Sequence, residues 1–165
     1  MDTYAFSSDD QQIAQGKTIL LVEDNSNDAL MTQRAMKKSN ILNKVIWLKD
    51  GAEALEYLFV NCLEKGEPFP QLILLDIHMP RVNGIEVLQK IRSDERTCWL
   101  PVVIFTSSTE ERDLIDSYRL GVNSYISKPI DFSHFAPVVS TIGCYWLLIN
   151  HGPPDAAGSV GRECN

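Results

Sequence analysis

The chain has 165 residues, 44% of them hydrophobic and 22% charged, and a formal net charge of −7. Those totals suit one globular domain with a single core. Lys and Arg are scattered rather than clustered, which disfavours a nucleic-acid partner, because binding a phosphate backbone needs a basic face that displaces counterions.

Residues 1–16 are mostly polar and acidic, with Tyr4, Phe6 and Ile13 as their large apolar residues besides Met1, and are expected to form a tail. They lack the basic start and apolar stretch of a signal peptide. No run of 18 apolar residues occurs, so no membrane span is expected. Cys62, Cys98, Cys144 and Cys164 show neither C-x-x-C spacing nor a nearby His pattern, and are expected to be reduced thiols of a cytoplasmic protein.

Thr18-Ile-Leu-Leu-Val22 is a continuous apolar run and predicts a strand buried on both faces. It delivers Glu23 and Asp24, after which Asn25 or Ser26 caps a helix to about Lys38. Val45–Leu48 predicts a second strand. Asp50 then caps a helix carrying Ala52, Leu55, Leu58 and Phe59 at helical spacing, and the Pro-rich connection from Glu64 to Pro70 ends it. Leu72-Ile-Leu-Leu75 is the third strand, closing on Asp76 and a Pro80-to-Gly84 turn. A helix with Val87, Leu88 and Ile91 follows.

Pro101–Phe105 predicts the fourth strand, ending at Thr106. Glu110 to Arg119 predicts a helix stopped at Gly121, and Ser124–Ile126 a short fifth strand leading to Lys128-Pro129. Asp131 caps a last helix that runs to about Asn150, with Pro137 near its first turn. Phe135, Val138, Val139, Ile142, Tyr145, Trp146 and Ile149 fall on one face of it. Cys144, Leu147 and Leu148 fall off that stripe, making them a candidate dimer surface. Residues 17–150 thus form the domain and residues 151–165 a second tail.

Five strands alternating with five helices, joined by right-handed crossovers, give a doubly wound parallel sheet. Parallel strands all point one way, so Glu23, Asp24, Asp76, Thr106 and Lys128 share one rim, where open α/β sheets bind ligands. Asp76 by itself could equally cap the next turn; its company is what points to chemistry. Two carboxylates about 4 Å apart repel by about 4 kcal/mol at an effective dielectric near 20. A hard divalent cation such as Mg²⁺ would relieve that, and Lys128 supplies a second positive charge. A carboxylate can accept a phosphoryl group as an acyl phosphate, with Lys128 and the Thr106 hydroxyl stabilising the group in transfer.

With Leu21-Val-Glu23-Asp24-Asn25, Leu75-Asp76-Ile-His-Met-Pro80 and Gly84, Phe105-Thr106-Ser107 and Ser127-Lys128-Pro129 in this order, the chain resembles a response-regulator receiver domain. The resemblance implies a flavodoxin-like sheet of order 2-1-3-4-5 and a Mg²⁺ (or Mn²⁺) site made by Glu23, Asp24, Asp76 and the His78 carbonyl. It implies phosphoryl transfer to Asp76 from a sensor histidine kinase, a switch pair of Thr106 and Tyr125, and a cis bond before Pro129. Too few residues follow Lys128 for a DNA-binding output domain, so signalling is expected through protein contacts rather than enzymatic turnover. A homodimer through the fourth helix, fifth strand and fifth helix is the expected form. The Pro-bearing loop before Asp76 and the Trp-containing last helix are similar to those of single-domain regulators paired with cyanobacterial phytochrome kinases.

Three rivals are weaker. A phosphohydrolase using Asp76 as nucleophile would want an acid two residues on, where His78 stands. A flavodoxin-type carrier would want a phosphate loop where Glu23 and Asp24 stand. A phosphorylation-independent adaptor has no need of Asp24, Asp76 and Lys128.

Overall fold

The computed structural model describes residues 16–152; both tails proposed from the sequence fall mainly outside them. Five parallel strands, β1 (Thr18–Val22), β2 (Lys44–Leu48), β3 (Leu72–Leu75), β4 (Val102–Thr106) and β5 (Ser124–Ser127), lie in the order β2-β1-β3-β4-β5. The helices are α1 (Ser26–Lys38), α2 (Gly51–Glu56), α3 (Gly84–Ser93), α4 (Glu111–Arg119) and α5 (Phe132–Gly143).

Alternation along the buried strands builds two cores, one on each face of the sheet, where the totals predict one. Leu20, Val22, Ile73, Leu75, Val102 and Ile104 pack with Leu58 and Ala54 of the second crossover and Val87, Leu88 and Ile91 of α3. Ile19, Leu21, Leu72, Leu74, Val103 and Phe105 point the other way, against Ala29, Ala35 and Met36 of α1 and Phe135, Val139 and Ile142 of α5. Both faces of β1, β3 and β4 are therefore covered, which explains their unbroken apolar sequence.

Side-chain caps start the helices where the sequence placed them. Asn25 accepts from the Asn27 and Asp28 amides, Asp50 from Glu53, and Asp131 from His134. Asn83 and Glu86 form a reciprocal capping box on α3. Gly121, at φ 83°, ends α4 in the left-handed region that glycine tolerates.

Two helices differ from expectation. After Glu56 the chain widens into a π segment, Tyr57–Glu64, and after Gly143 into another, Cys144–Ile149. The Lys65 amide donates to Val60 and the Asn150 amide to Tyr145, five residues back. Each wide turn takes up about one residue more than an α turn, so the inward face drifts along the sequence. Leu147, expected on the outside, is only 2% exposed and belongs to the core, whereas Tyr145 and Ile149 face solvent. Leu148 packs partly against the same core and Cys144 is half-buried. The expected surface of Cys144, Leu147 and Leu148 is thus corrected: the apolar side chains that point outward are Tyr145 and Ile149.

Phe132–Ile149 also has the length and mean hydropathy, 1.4, of a membrane-crossing helix. Its apolar side is occupied by the sheet. Pro137 is the sixth residue of α5, just past its first turn, and the carbonyl its ring leaves without a helical donor belongs to Ser133, in the exposed first turn. Cys62 and Cys144 are free thiols. Cys98 is disulfide-bonded, which corrects the expectation for that residue: a bridge needs proximity in space, and spacing along the chain does not report it.

Candidate functional site: an acidic rim around Lys128

Glu23, Asp24 and Asp76 gather at the carboxyl ends of the neighbouring strands β1 and β3, with ligand oxygens within 4.8 Å of one another. Glu23 and Asp76 are buried and Asp24 is exposed, so the cluster opens to water on one side. The Asp76 amide donates to Val22 across the sheet, and one Asp76 carboxylate oxygen accepts the Ile77 amide at 2.8 Å. Glu23 Oε1 accepts the Asn25 amide at 3.0 Å, and the Trp47 indole clamps the Glu23 carbonyl at 2.8 Å.

The Lys128 side chain, 4% exposed, reaches into this cluster from the loop after β5. Its ammonium donates to Glu23 Oε2, to Asp28 Oδ2 at 3.0 Å and to Asp76 Oδ2 at 3.2 Å. Burial alone would lower the pKa of this amine, but Asp76, Glu23 and Asp28 outweigh it and hold the pKa above its ordinary value. Burial pushes the Glu23 carboxyl the other way, above the usual carboxylate range, against the pull of Lys128.

Asp28 is the residue that sequence reasoning missed. It lies in the first turn of α1, where an acid is ordinarily read as complementing the helix dipole. Its place one turn beyond Asp24 was the available signal.

The turn after Asp76 is set by close packing. A Cβ on Gly84 would stand 2.1 Å from the Asp76 carbonyl oxygen, so the start of α3 presses on the backbone that carries the carboxylate. Arg81 takes a left-handed φ of 64° and is held there by its guanidinium on Asp50, with Nε at 2.9 Å. His78 turns its ring away from the acids to meet Asp113 of α4, Nε2 to Oδ2, at 2.9 Å.

Thr106 is buried at the end of β4, and its Oγ1 accepts the Ser108 amide at 3.2 Å. Tyr125 is half-buried on β5; burial raises its phenol pKa, and a hydrogen bond to Ser108 works against that. The expected cis bond before Pro129 is not present: every described peptide bond is trans, the form X-Pro bonds favour intrinsically by about 0.5–1 kcal/mol. Lys128 reaches the acids with the bond trans, its own amide donating to the Thr106 carbonyl at 2.8 Å.

Residues 19–139 match the response regulator receiver domain family. The chain belongs to that family. Among relatives of this receiver, the probable methanogenesis regulatory protein FilR2 of Methanothrix harundinacea (strain 6Ac) is 41% identical over 138 residues, covering 84% of this chain and 88% of the relative. Response regulator Rcp1 of Synechocystis sp. (strain ATCC 27184 / PCC 6803 / Kazusa) is 38% identical over 79% of this chain and 89% of its own length. Its Mn²⁺-bound crystal structure superposes with a TM-score of 0.77 at 37% identity, covering 84% of this chain and 99% of that one. The phosphorylated cyanobacterial phytochrome response regulator RcpA gives a TM-score of 0.78, also at 37% identity and with the same coverage. Receiver domains bind Mg²⁺ or Mn²⁺ in an acidic pocket and are phosphorylated by histidine kinases.

Proposed function

We propose that this receiver accepts a phosphoryl group on Asp76 from the phosphohistidine of a phytochrome-type histidine kinase. The observation that carries the reading is the buried Lys128 ammonium, shared by Asp76 and Glu23 at the one rim where Asp24 also stands. An Asp76 carboxylate oxygen attacks phosphorus as the bond to the histidine nitrogen breaks; with the other ring nitrogen protonated, the products are an acyl phosphate and a neutral imidazole. Lys128 and the Thr106 hydroxyl are the donors for the phosphoryl oxygens. Lys128 then exchanges part of its present carboxylate bonding for the phosphoryl group.

The donor set fits a hard divalent cation: three carboxylates, one open to water, beside a phosphoryl acceptor. Glu23, Asp24, Asp76 and the His78 carbonyl are the residues assigned to hold it. When bound, Mg²⁺ or Mn²⁺ neutralises charge on the phosphoryl oxygens. Phytochrome pairing is supported by the likeness to RcpA, whose structure is that of a phosphorylated phytochrome regulator.

Output is assigned to a homodimer surface on α4, β5 and α5. α4 supports this, because Leu114, Ile115 and Tyr118 are all exposed while Ser117 is its one buried residue. Apolar groups on a helix so little covered by its own domain suit a partner.

Incubation with autophosphorylated bacterial phytochrome kinases tests the pairing. Transfer of label to the wild type within minutes is the expected result. A receiver that acetyl phosphate labels but no phytochrome kinase does would overturn the pairing and leave the acceptor intact.

A further inference from the structure

Asp113 stands outside the phosphoryl pocket, in the first turn of α4, with its side chain 13% exposed. One of its oxygens, Oδ2, takes two donors: the Ser108 hydroxyl at 2.5 Å and His78 Nε2 at 2.9 Å. Its carbonyl accepts the Ser117 hydroxyl at 2.6 Å. Ser108 is in turn the hub of the loop after β4. Its amide donates to Thr106 Oγ1 at 3.2 Å, and its Oγ accepts the Glu110 amide at 3.2 Å. His78 belongs to the turn that carries Asp76. One carboxylate therefore ties together the acceptor turn, the loop after β4 and the start of α4.

We propose that Asp113 is a positioning residue: a clasp that holds Ser108, and through it Thr106, in the arrangement of the unphosphorylated receiver. The inference rests on the reading of Asp76 as acceptor. Thr106 Oγ1 accepts the Ser108 amide at 3.2 Å, so a shift of Thr106 towards Asp76 stretches that bond. The Ser108 hydroxyl is itself held on the Asp113 carboxylate, a bond stronger than one between neutral groups, so the amide that tethers Thr106 is anchored in turn. The clasp is made only in the resting arrangement, so its free energy biases the equilibrium towards rest, and losing it shifts the population the other way. His78 adds the second tie, from the acceptor turn to α4, so strain at Asp76 is felt directly at the helix assigned to output.

The test combines phosphorylation kinetics with a readout that needs no phosphodonor. With acetyl phosphate and Mg²⁺, Asp113→Ala labels at least about tenfold faster than wild type, the scale of one charge-assisted hydrogen bond. His78→Ala labels faster by a smaller factor. Arg112→Ala, on the same turn and facing water, labels at the wild-type rate. Without donor, the Thr106 methyl and Tyr125 ring resonances of Asp113→Ala move towards their positions in beryllofluoride-treated wild type. If Asp113→Ala does not fold, His78→Ala and Ser108→Ala take over both measurements. Labelling at or below the wild-type rate in the folded variants, with unmoved resonances, overturns the clasp. A wild type that neither acetyl phosphate labels nor beryllofluoride shifts overturns the acceptor reading, and the clasp with it.

Discussion

The Lys128 ammonium lies 3.0 Å from the Asp28 carboxylate, joining the loop after β5 to the first turn of α1 across 100 residues of sequence. With Glu23 and Asp76 on the same ammonium, three acids share one buried cation. Lys128→Met removes the only cation in contact with Glu23 and Asp76 among the described residues. Breaking a buried pair from one side costs about 3 kcal/mol, and urea unfolding at pH 8 without divalent metal should show a loss of that order. A loss below about 1 kcal/mol would mean that water satisfies these acids.

Asp24 is the exposed member of the acidic cluster, adding negative charge that Lys128 does not contact directly. In EDTA, Asp24→Asn should unfold a few degrees above wild type, because like charge is relieved. Excess Mg²⁺ should reverse the order: binding at ten times the dissociation constant stabilises by about 1.4 kcal/mol, and the variant loses most of it. Equal Mg²⁺ shifts in thermal melts of the two proteins would remove Asp24 from the metal site.

Asp50 caps α2 on the Glu53 amide and holds Arg81, and its pKa lies below the ordinary value: burial raises it, but the Glu53 amide and the Arg81 guanidinium lower it more. A carboxyl with a lowered folded pKa stabilises fully above its unfolded pKa, near 3.9, and loses that contribution as pH falls through the folded value. Asp50→Ala should therefore cost about 1–2 kcal/mol at pH 7, the sum of a cap and a shielded ion pair. Chemical denaturation of both proteins from pH 7 to pH 2 should show the gap closing below about pH 4. A gap that stays constant to pH 2 would show that packing, and not the carboxylate, is what the alanine removes.

Tyr118 is 56% exposed on α4. Tyr118→Arg places a charge in the assigned dimer surface without touching either core, and should lower the sedimentation coefficient to that of a monomer while leaving acetyl phosphate labelling unchanged. An unchanged coefficient in a wild type that is dimeric would move the interface elsewhere, with Tyr145 and Ile149 the next apolar pair to change.

The strands were legible because burial on both faces of β1 and β3 leaves no room for polar residues, and because each of these two runs ends in an acid. Once the strands are parallel, Lys128 has to arrive at the rim that holds Asp76, whatever lies between. Asp28 and Asp113 were not legible, because an acid in a helix's first turn has a sufficient local explanation in the dipole and the cap. Their long-range partners depend on how α1 and α4 rotate against the sheet. Leu147 was misplaced for a related reason: helical periodicity assumes 3.6 residues per turn, and the widened turn after Gly143 carries Leu147 inward and Tyr145 and Ile149 out.

Labelling with acetyl phosphate in the presence of Mg²⁺, followed on wild type and Asp76→Asn, tests the central assignment most directly. Wild type should take up one acid-stable, base-labile phosphoryl group per chain, and Asp76→Asn none, with both proteins showing the same far-ultraviolet circular dichroism. Equal labelling of the two would contradict the assignment of Asp76 as the acceptor.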